Sequence, residues 1–132
     1  MVHGVDANTI WMVGSEQVSH TADGGKTWID QWNPDMGGLL HFNGVFAVDR
    51  ETIWLARDQG GIFLSTDGGS NFQQQEMGFL GDEMMRIFAI DRQTAWAVSL
   101  LFGGENTGHV FHTADGGQHW YPQRVPLETE WW

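Results

Sequence analysis

The sequence contains no cysteine, which excludes a disulfide framework and any catalytic or metal site built on thiols. Basic residues are also scarce: six lysine and arginine residues stand against 17 aspartate and glutamate residues, giving a net charge of −11. Nucleic acids and anionic membrane surfaces are bound through basic patches, so this balance argues against both as partners. An acidic chain of this kind suits a cationic partner better.

Long hydrophobic runs are missing too, because no stretch of the chain is long and apolar enough to span a bilayer. The first residues, Met1-Val2-His3-Gly4, lack the charged and apolar regions of a signal peptide. We therefore expect no membrane insertion, and the sequence leaves the cellular compartment unspecified. The chain is rich in glycine, tryptophan and phenylalanine, with 18, eight and eight residues, as is typical of short strands joined by tight turns.

An eight-residue motif, called the box below, occurs three times, in residues 21–28, 65–72 and 113–120. It reads Ser or Thr, any residue, Asp, Gly, Gly, two variable residues, then Trp or Phe. Apolar residues flank each copy and glycine supplies the positive φ of a tight turn, so each box predicts a β-hairpin. We expect the hydroxyl and the carboxylate to accept hydrogen bonds from turn N–H groups, with the aromatic ring covering the turn. The predicted structural residues are Thr21, Asp23, Gly25, Trp28, Ser65, Asp67, Gly69, Phe72, Thr113, Asp115, Gly117 and Trp120.

Metal binding is the alternative interpretation of these turns. Calcium takes about 6–8 oxygen ligands, usually with several carboxylates, whereas each box supplies a single aspartate. His20 and His112 precede two of the boxes, but Leu64 holds that position in the third, which favours a half-buried strand position. We predict no metal and no cofactor.

A second motif, Val/Ile-Asp-x-x-Thr-x-Trp, precedes each box at residues 5–11, 48–54 and 90–96. A period in the forties with four short strands per unit is the signature of β-propeller blades. The sequence therefore predicts an all-β fold of three four-stranded antiparallel blades, at about 1–38, 39–83 and 84–132. The second and third innermost strands are predicted at 45–48 and 87–90.

The box resembles the Asp-box, or bacterial neuraminidase repeat, of sialidase-like and related propellers. Its alternation with the second motif, from Val5 to Trp120, resembles the photosystem II assembly/stability factor-like propeller family. That resemblance implies a non-enzymatic binding or assembly scaffold. The alternative is a carbohydrate-binding or sialidase-like glycosidase domain, and the ligand, protein or glycan, stays open.

The enzymatic alternative depends on a tyrosine nucleophile, which the resemblance to sialidases implies together with an arginine triad. The chain has one tyrosine, Tyr121, which follows a box aromatic and is expected on an outer strand. Arg124-Val125-Pro126 resembles the sialidase Arg-Ile-Pro motif but follows the third box, and Arg86-Ile87-Phe88 lacks the proline. We therefore predict no catalytic residues.

Binding groups are expected on the loops opposite the boxes, since loops positioned by a rigid scaffold commonly carry function. A solvated rim is the structural alternative for each of them. The candidates are His41, Arg57, Asp58, Asp82, Glu83, Arg86, Glu105 and Asn106.

Three blades do not close a ring, because closed propellers typically have about 4–8 blades. The sequence therefore leaves two possibilities: further blades in a longer chain, or association of chains. We expect a homodimer that closes a six-bladed ring, with Met1–Val5 and Trp131-Trp132 at the junctions.

Overall fold

A computed structural model of the chain describes residues 1–31, 41–59, 61–77, 83–100 and 108–123, with Leu100 described by its backbone alone. These residues form twelve strands. In chain order they are β1 (Val2–Gly4), β2 (Ile10–Gly14), β3 (Gln17–Thr21), β4 (Ile29–Asp30), β5 (Phe42–Ala47), β6 (Ile53–Arg57), β7 (Gly61–Ser65), β8 (Gln73–Gln74), β9 (Glu83–Ala89), β10 (Ala95–Leu100), β11 (Gly108–Thr113) and β12 (Tyr121–Gln123). Within the described ranges, no helix is long and apolar enough to cross a membrane.

The strands form three separate four-stranded sheets, each a simple meander of consecutive strands. The first sheet contains β1 to β4, the second β5 to β8 and the third β9 to β12. Every pairing is antiparallel, as tight hairpin connections require. The predicted fold, all-β with three four-stranded antiparallel blades, is confirmed.

The inner strands of the second and third sheets begin earlier than predicted. β5 starts at Phe42 and β9 at Glu83, and each contains a register shift in its pairing with the next strand. A bulge changes which side chains face the core, so the alternation of buried and exposed residues is interrupted. The predicted ranges 45–48 and 87–90 therefore covered only the part of each strand beyond the bulge.

Two hydrophobic clusters hold the sheets together, one at each junction between neighbouring sheets. The first contains Trp11, Val13 and Val18 of the first sheet, packed against side chains of the second sheet. The second contains Trp54, Ala56 and Ile62 of the second sheet, packed against side chains of the third. The central strand β6 is consequently buried on both faces, whereas β2 is fully buried on one face.

Candidate binding face

The three boxes have the same hydrogen-bond geometry. In each, the hydroxyl oxygen of the first residue accepts the N–H of the second glycine at 2.8–2.9 Å. The same hydroxyl donates to Oδ1 of the box aspartate at 2.8–2.9 Å. The second glycine of each box has a φ of 85–90°, a region that disfavours every residue with a Cβ. The boxes therefore use their polar side chains to hold the turn.

One more position of the box takes part in these hydrogen bonds. The sequence motif treated this position as variable. Thr27, Asn71 and His119 stand four residues after the three aspartates, and each places a side-chain polar atom 2.6–2.8 Å from Oδ2. Their backbone N–H groups donate to Oδ1 at 2.9–3.0 Å. All three residues can donate a side-chain hydrogen bond, which is the signal that could have identified the position.

These bonds stabilise the ionised carboxylates. Hydrogen bonds from the Thr27 side chain and N–H lower the pKa of Asp23 to about 2. The N–H and ring of His119 lower the pKa of Asp115 to about 2. A carboxylate whose oxygens are engaged by its own turn is poorly suited to bind calcium as well.

Neighbouring sheets contact each other through a tryptophan and a box glycine. A Cβ added at Gly69 would overlap Cη2 of Trp11, and one at Gly117 would lie 2.9 Å from Cη2 of Trp54. Each tryptophan also packs edge-on against the box aromatic of the next sheet. The ring centroids of Trp11 and Phe72 are 6.2 Å apart, and those of Trp54 and Trp120 are 5.8 Å apart.

Ion pairs also join each sheet to the next one, on the side of the molecule that carries the boxes. Arg50 of the second sheet contacts Asp6 of the first at 2.8 Å. Arg92 of the third sheet contacts Asp49 of the second at 2.9 Å and Glu51 at 2.8 Å. The hydrogen bond from Arg50, with those from the N–H groups of Asn8 and Thr9, lowers the pKa of Asp6 to about 2. Each of these exposed ion pairs adds little to the stability of the fold, but each connects one sheet to its neighbour.

The strand ends remote from the boxes form what we call the loop face. It consists of Ser15, His41, Asn43, Arg57, Asp58, Glu83 and Arg86. Arg57, Glu83 and Arg86 lie on strands rather than in the predicted loops, because β6 ends at Arg57 and β9 begins at Glu83. Asp82, Glu105 and Asn106, the other predicted binding residues, lie outside the described residues.

One polar cluster of the loop face joins the first two sheets. Ser15 Oγ lies 2.6 Å from His41 Nδ1, and the two residues also form a backbone bridge. The N–H of His41 donates to Asp58 Oδ1 at 3.3 Å, while the N–H of Asp58 donates to the carbonyl of His41 at 3.0 Å. Asp58 thus contacts the main chain of His41, whereas a Ser-His-Asp triad needs its carboxylate on the imidazole.

A second cluster joins the second and third sheets. Asn43 Nδ2 donates to the carbonyl of Met84 at 3.1 Å and to Glu83 Oε1 at 3.5 Å. Arg86 Nη1 donates to the carbonyls of Asn43 at 3.0 Å and Met85 at 2.7 Å. Arg86 remains exposed and Glu83 half-exposed, so both retain polar atoms that can meet a ligand.

Arg57 stands between these clusters. Its guanidinium carbon lies 4.9 Å from the ring centroid of Phe63, within cation–π range. Burial lowers the pKa of Arg57, although the charge of Asp58 opposes the shift. The buried Phe63 ring thus supports the Arg57 guanidinium from below, and the loop face carries charges of both signs.

The described residues of the enzymatic alternative, Tyr121 and Arg86, lie apart from each other. Tyr121 lies on β12, the outermost strand of the third sheet, and is 61% exposed. Arg86 lies on β9, at the opposite edge of the same sheet. Arg124-Val125-Pro126 is outside the described residues.

The two histidines before the boxes pack on tryptophans. The rings of His20 and Trp11 stack with centroids 4.7 Å apart, and those of His112 and Trp96 with centroids 4.8 Å apart. Burial lowers the pKa of His20, which favours its neutral form. In the part of the chain that the structure describes, no three His, Asp or Glu side chains form a group able to hold a metal ion.

Comparison with known proteins extends these observations, although no protein-family model matches the chain. The photosystem II assembly lipoprotein Ycf48 of Synechococcus sp. (strain CC9902) is 31% identical over 114 residues. That alignment covers 83% of this chain and 32% of the relative, so the chain spans about a third of the length of this curated protein.

Solved structures show the same fold. A structure of YCF48 bound to a D1 peptide superposes with a TM-score of 0.75 at 23% identity, covering 92% of this chain and 38% of that one. YCF48 from Cyanidioschyzon merolae gives 0.67 at 24% identity, with 92% and 35% covered. A GH74 xyloglucanase from Xanthomonas campestris gives 0.65 at 16% identity, with 89% and 19% covered. The described residues thus form three β-propeller blades that resemble part of Ycf48, a photosystem II assembly protein, in sequence and in fold, as the two motifs predicted.

Proposed function

We propose that the chain is a non-enzymatic Asp-box propeller scaffold that binds a peptide segment of a protein client on its loop face. In this proposal residues 1–132 form one unit, with blades at about 1–38, 39–83 and 84–132. The supporting observation is that a solved structure sharing this fold, at a TM-score of 0.75, is YCF48 bound to a D1 peptide. A peptide carries backbone donors and acceptors that Arg86, Glu83 and Asp58 can engage.

The client segment should be neutral or basic. The chain carries a net charge of −11, which raises the local concentration of cationic ligands and disfavours acidic ones. On the loop face, the carboxylates of Asp58 and Glu83 are half-exposed and accompany Glu16 at the tip of the β2–β3 hairpin. A lysine or arginine of the client would meet acceptors there, and the effect would weaken with salt.

A carbohydrate-active alternative has less support. The xyloglucanase is only 16% identical and indicates the fold alone. Tyr121 on the outer strand is the residue to test, because a sialidase would need it as the nucleophile. Tyr121→Phe should leave peptide binding unchanged, and wild-type turnover of a fluorogenic sialoside that this substitution abolishes would overturn the scaffold proposal.

We further propose that two copies complete a six-bladed ring, within the usual range of about 4–8 blades. Light scattering should then report twice the 14.9 kDa chain mass at micromolar concentration. Deleting Trp131-Trp132, which lie outside the described residues, should weaken the dimer. A stable monomer would contradict ring closure by a second copy and would leave the peptide-binding proposal to its own test.

Peptide binding is tested with three fluorescent peptides: the D1 peptide, a version with two added lysines and a version with two added glutamates. We expect the lysine version to bind more tightly than the glutamate version by about tenfold at low salt, since solvent-exposed charge pairs are each worth up to about 1 kcal/mol. The preference should shrink in 0.5 M salt and in the variant Asp58→Asn/Glu83→Gln, which keeps the side-chain shapes.

Glu51→Gln is the control for position, because it removes one acidic charge from the opposite, box side of the molecule, whereas the double variant removes two from the loop face. It should leave all three affinities within about twofold of wild type. Failure of the folded chain to bind any of the three peptides would refute the proposed function. A preference that Glu51→Gln reduces as much as the double variant would place binding elsewhere than the loop face.

A further inference from the structure

Three side chains form a row across the face of the first sheet that packs on the second sheet. His3 on β1 lies opposite Trp11 on β2, and Trp11 lies opposite His20 on β3. Residues directly opposite each other in antiparallel strands point to the same face of a sheet. Trp11 is buried against side chains of the second sheet, so these three residues, which we call the first row, lie at the junction between the two sheets.

The second sheet presents an equivalent row to the third sheet, but its chemistry differs. Phe46 on β5 lies opposite Trp54 on β6, and Trp54 lies opposite Leu64 on β7. Phe46 and Leu64 are half-buried against the hydrophobic cluster that joins the second and third sheets. These three residues, the second row, therefore contain no titratable group, whereas the first row has an imidazole on each side of its tryptophan.

His3 accepts a hydrogen bond that only a neutral imidazole can accept. Its Nδ1 receives the backbone N–H of Ala47 across the junction at 3.1 Å. A backbone N–H can only donate, so Nδ1 carries no proton and the proton of the neutral ring is on Nε2. The ring also lies against Phe46, with centroids 4.1 Å apart. A proton added at Nδ1 would replace this hydrogen bond by two N–H groups that point at each other.

His20 has partners that can adapt. Its ring stacks on Trp11, and Gln31 Nε2 lies 3.3 Å from its Nδ1. The Gln31 amide can turn its oxygen towards a protonated ring, so this contact tolerates a cation better than the contact between His3 and Ala47 does. A cation is also attracted to an aromatic ring, which offsets part of the cost of burying it. Burial nevertheless lowers the pKa of both histidines, which favours the neutral rings.

The strands β2 and β5, which contact the two histidines, carry no titratable side chain. The titratable groups on the bordering elements are the amine of Met1, Asp6, Asp30, Asp49, Arg50 and Asp67. His41 and Arg57 lie at the loop-face end of the junction. Asp6 and Arg50 neutralise each other in an ion pair. Burial is the cause of the lowered pKa at both histidines, so we expect the exposed charges around them to have a smaller effect.

We infer that the junction between the first and second sheets is pH-sensitive and opens when His3 and His20 become protonated, whereas the junction between the second and third sheets does not respond. The observation that carries this inference is the hydrogen bond from Ala47 to His3, because it crosses the junction and requires a neutral ring. The ordinary pKa of histidine is 6.5 and burial lowers it in the folded chain. The stability of the closed junction is therefore complete above about pH 6.5 and decreases as the pH falls below it.

The two buried tryptophans report separately on the two junctions. Trp11 is 1% exposed and Trp54 is 0% exposed, and the indole N–H of each can be followed by NMR. Protection of these N–H groups against hydrogen exchange is measured at pH 7 and pH 5 and corrected for the exchange of free tryptophan. The protection of Trp11 should fall by about threefold to thirtyfold at pH 5, the upper end being the limit for one ring that must stay neutral. The protection of Trp54 should stay within about twofold.

The second row supplies the matched variant. His3→Phe/His20→Leu gives the first row the side chains of the second, so the protection of Trp11 should become as insensitive to pH as that of Trp54. His3→Gln is the more conservative change, because its amide oxygen can still accept the N–H of Ala47 but does not titrate. It should remove most of the pH response, and it keeps the test decisive if the double variant folds poorly.

His119→Asn is the control for the number of histidines. It removes a histidine from the third box and introduces the residue that the second box has there, where Asn71 bonds the box aspartate. This variant should keep the pH response of Trp11 seen in wild type. Equal loss of protection at Trp11 and Trp54, or a response of Trp11 that survives His3→Gln and the double variant, would overturn the inference.

The pH-sensitive junction also has a consequence for client binding, which rests on the proposed function. Ser15 and His41 join the loop-face end of this junction through a backbone bridge and a side-chain contact of 2.6 Å. The affinity for the D1 peptide should therefore fall more between pH 7 and pH 5 in wild type than in His3→Phe/His20→Leu. An equal fall in both proteins would refute this consequence. A D1 peptide that binds at neither pH would refute the proposed function, whereas the indole measurement tests the junction without any peptide.

Discussion

Trp54 of the second sheet and Trp120 of the third pack edge-to-face, with ring centroids 5.8 Å apart and an interplanar angle of 86°. Both rings are buried, and Trp54 also covers Gly117 of the third box. The contact joins the two repeated motifs of the sequence across a blade junction. It explains why each unit carries a tryptophan in its second strand and an aromatic residue at the end of its box.

Trp54→Ala should lower the free energy of unfolding by about 3–5 kcal/mol, the range for removing a large buried aromatic side chain. The loss arises from the cavity left between the second and third sheets. Urea unfolding monitored by circular dichroism measures it. Ile29→Ala, at an exposed position, should change stability by less than about 0.5 kcal/mol, and an equal effect of both substitutions would contradict the packing described for Trp54.

Gly69→Ala should destabilise the chain for two reasons. The residue has a φ of 85°, and a Cβ there would overlap the ring of Trp11. The conformational strain alone is worth about 1–3 kcal/mol. Gly14→Ala is the control, since a Cβ at Gly14 meets no atom within 4 Å. The thermal midpoints of the two variants are measured side by side. A lower midpoint for Gly14→Ala than for Gly69→Ala would contradict the packing described for Gly69.

Asp115→Ala should lower the thermal midpoint by the same amount with calcium and with excess chelator. The carboxylate accepts hydrogen bonds from the N–H of His119 and the hydroxyl of Thr113, so its loss leaves donors of the turn without their acceptor. Asp115→Asn keeps the Oδ1 acceptor and should lose less. If chelator lowered the wild-type midpoint as much as Asp115→Ala does, the box would be a metal-binding site rather than a structural turn.

Stability should fall in acid over a defined range. Asp6, Asp23 and Asp115 have pKa values of about 2, below the ordinary value of 3.8, so the unfolded chain binds protons more readily than the folded one. Their contribution is complete above about pH 4 and is lost as the pH falls towards 2. Burial also lowers the pKa of His3 and His20, so a smaller loss begins below pH 6.5.

Thermal midpoints measured from pH 7 to pH 2 test whether stability falls as the pH falls. We expect a shallow decline below pH 6.5 and a steeper one below pH 4. The variant Asp6→Asn/Asp23→Asn should have a flatter profile below pH 4 than wild type. A midpoint that rises as the pH falls from 4 to 2 would contradict the ionised state assigned to these three aspartates.

The sequence was sufficient to predict the blades because their determinants are local and repeated. Hydroxyl, aspartate and glycine recur at fixed spacing, and hairpin pairing follows from that spacing. Positions 27, 71 and 119 were not identified, because Thr, Asn and His differ in size and charge and share only the ability to donate a side-chain hydrogen bond to the aspartate. The early parts of β5 and β9 were missed because a bulge breaks their alternation.

The contacts between blades needed the structure. The tryptophan of the second motif recurs in the sequence, but its contact with the next box, from Trp11 to Gly69, depends on the twist and spacing of the sheets. The same holds for the loop face, where His41 meets Ser15 and Asn43 meets Glu83 across the two junctions. These pairs are 26 and 40 residues apart and have no local signal.

Hydrogen exchange of the folded chain, with and without the D1 peptide, tests most directly whether the loop face binds a protein segment. Proteolytic peptides covering 41–43, 57–59 and 83–86 should exchange more slowly when the D1 peptide is bound, because the peptide covers these strand ends. The boxes at 21–28, 65–72 and 113–120 should exchange at the same rate in both states. Protection confined to the boxes, or none anywhere at saturating peptide, would contradict the account.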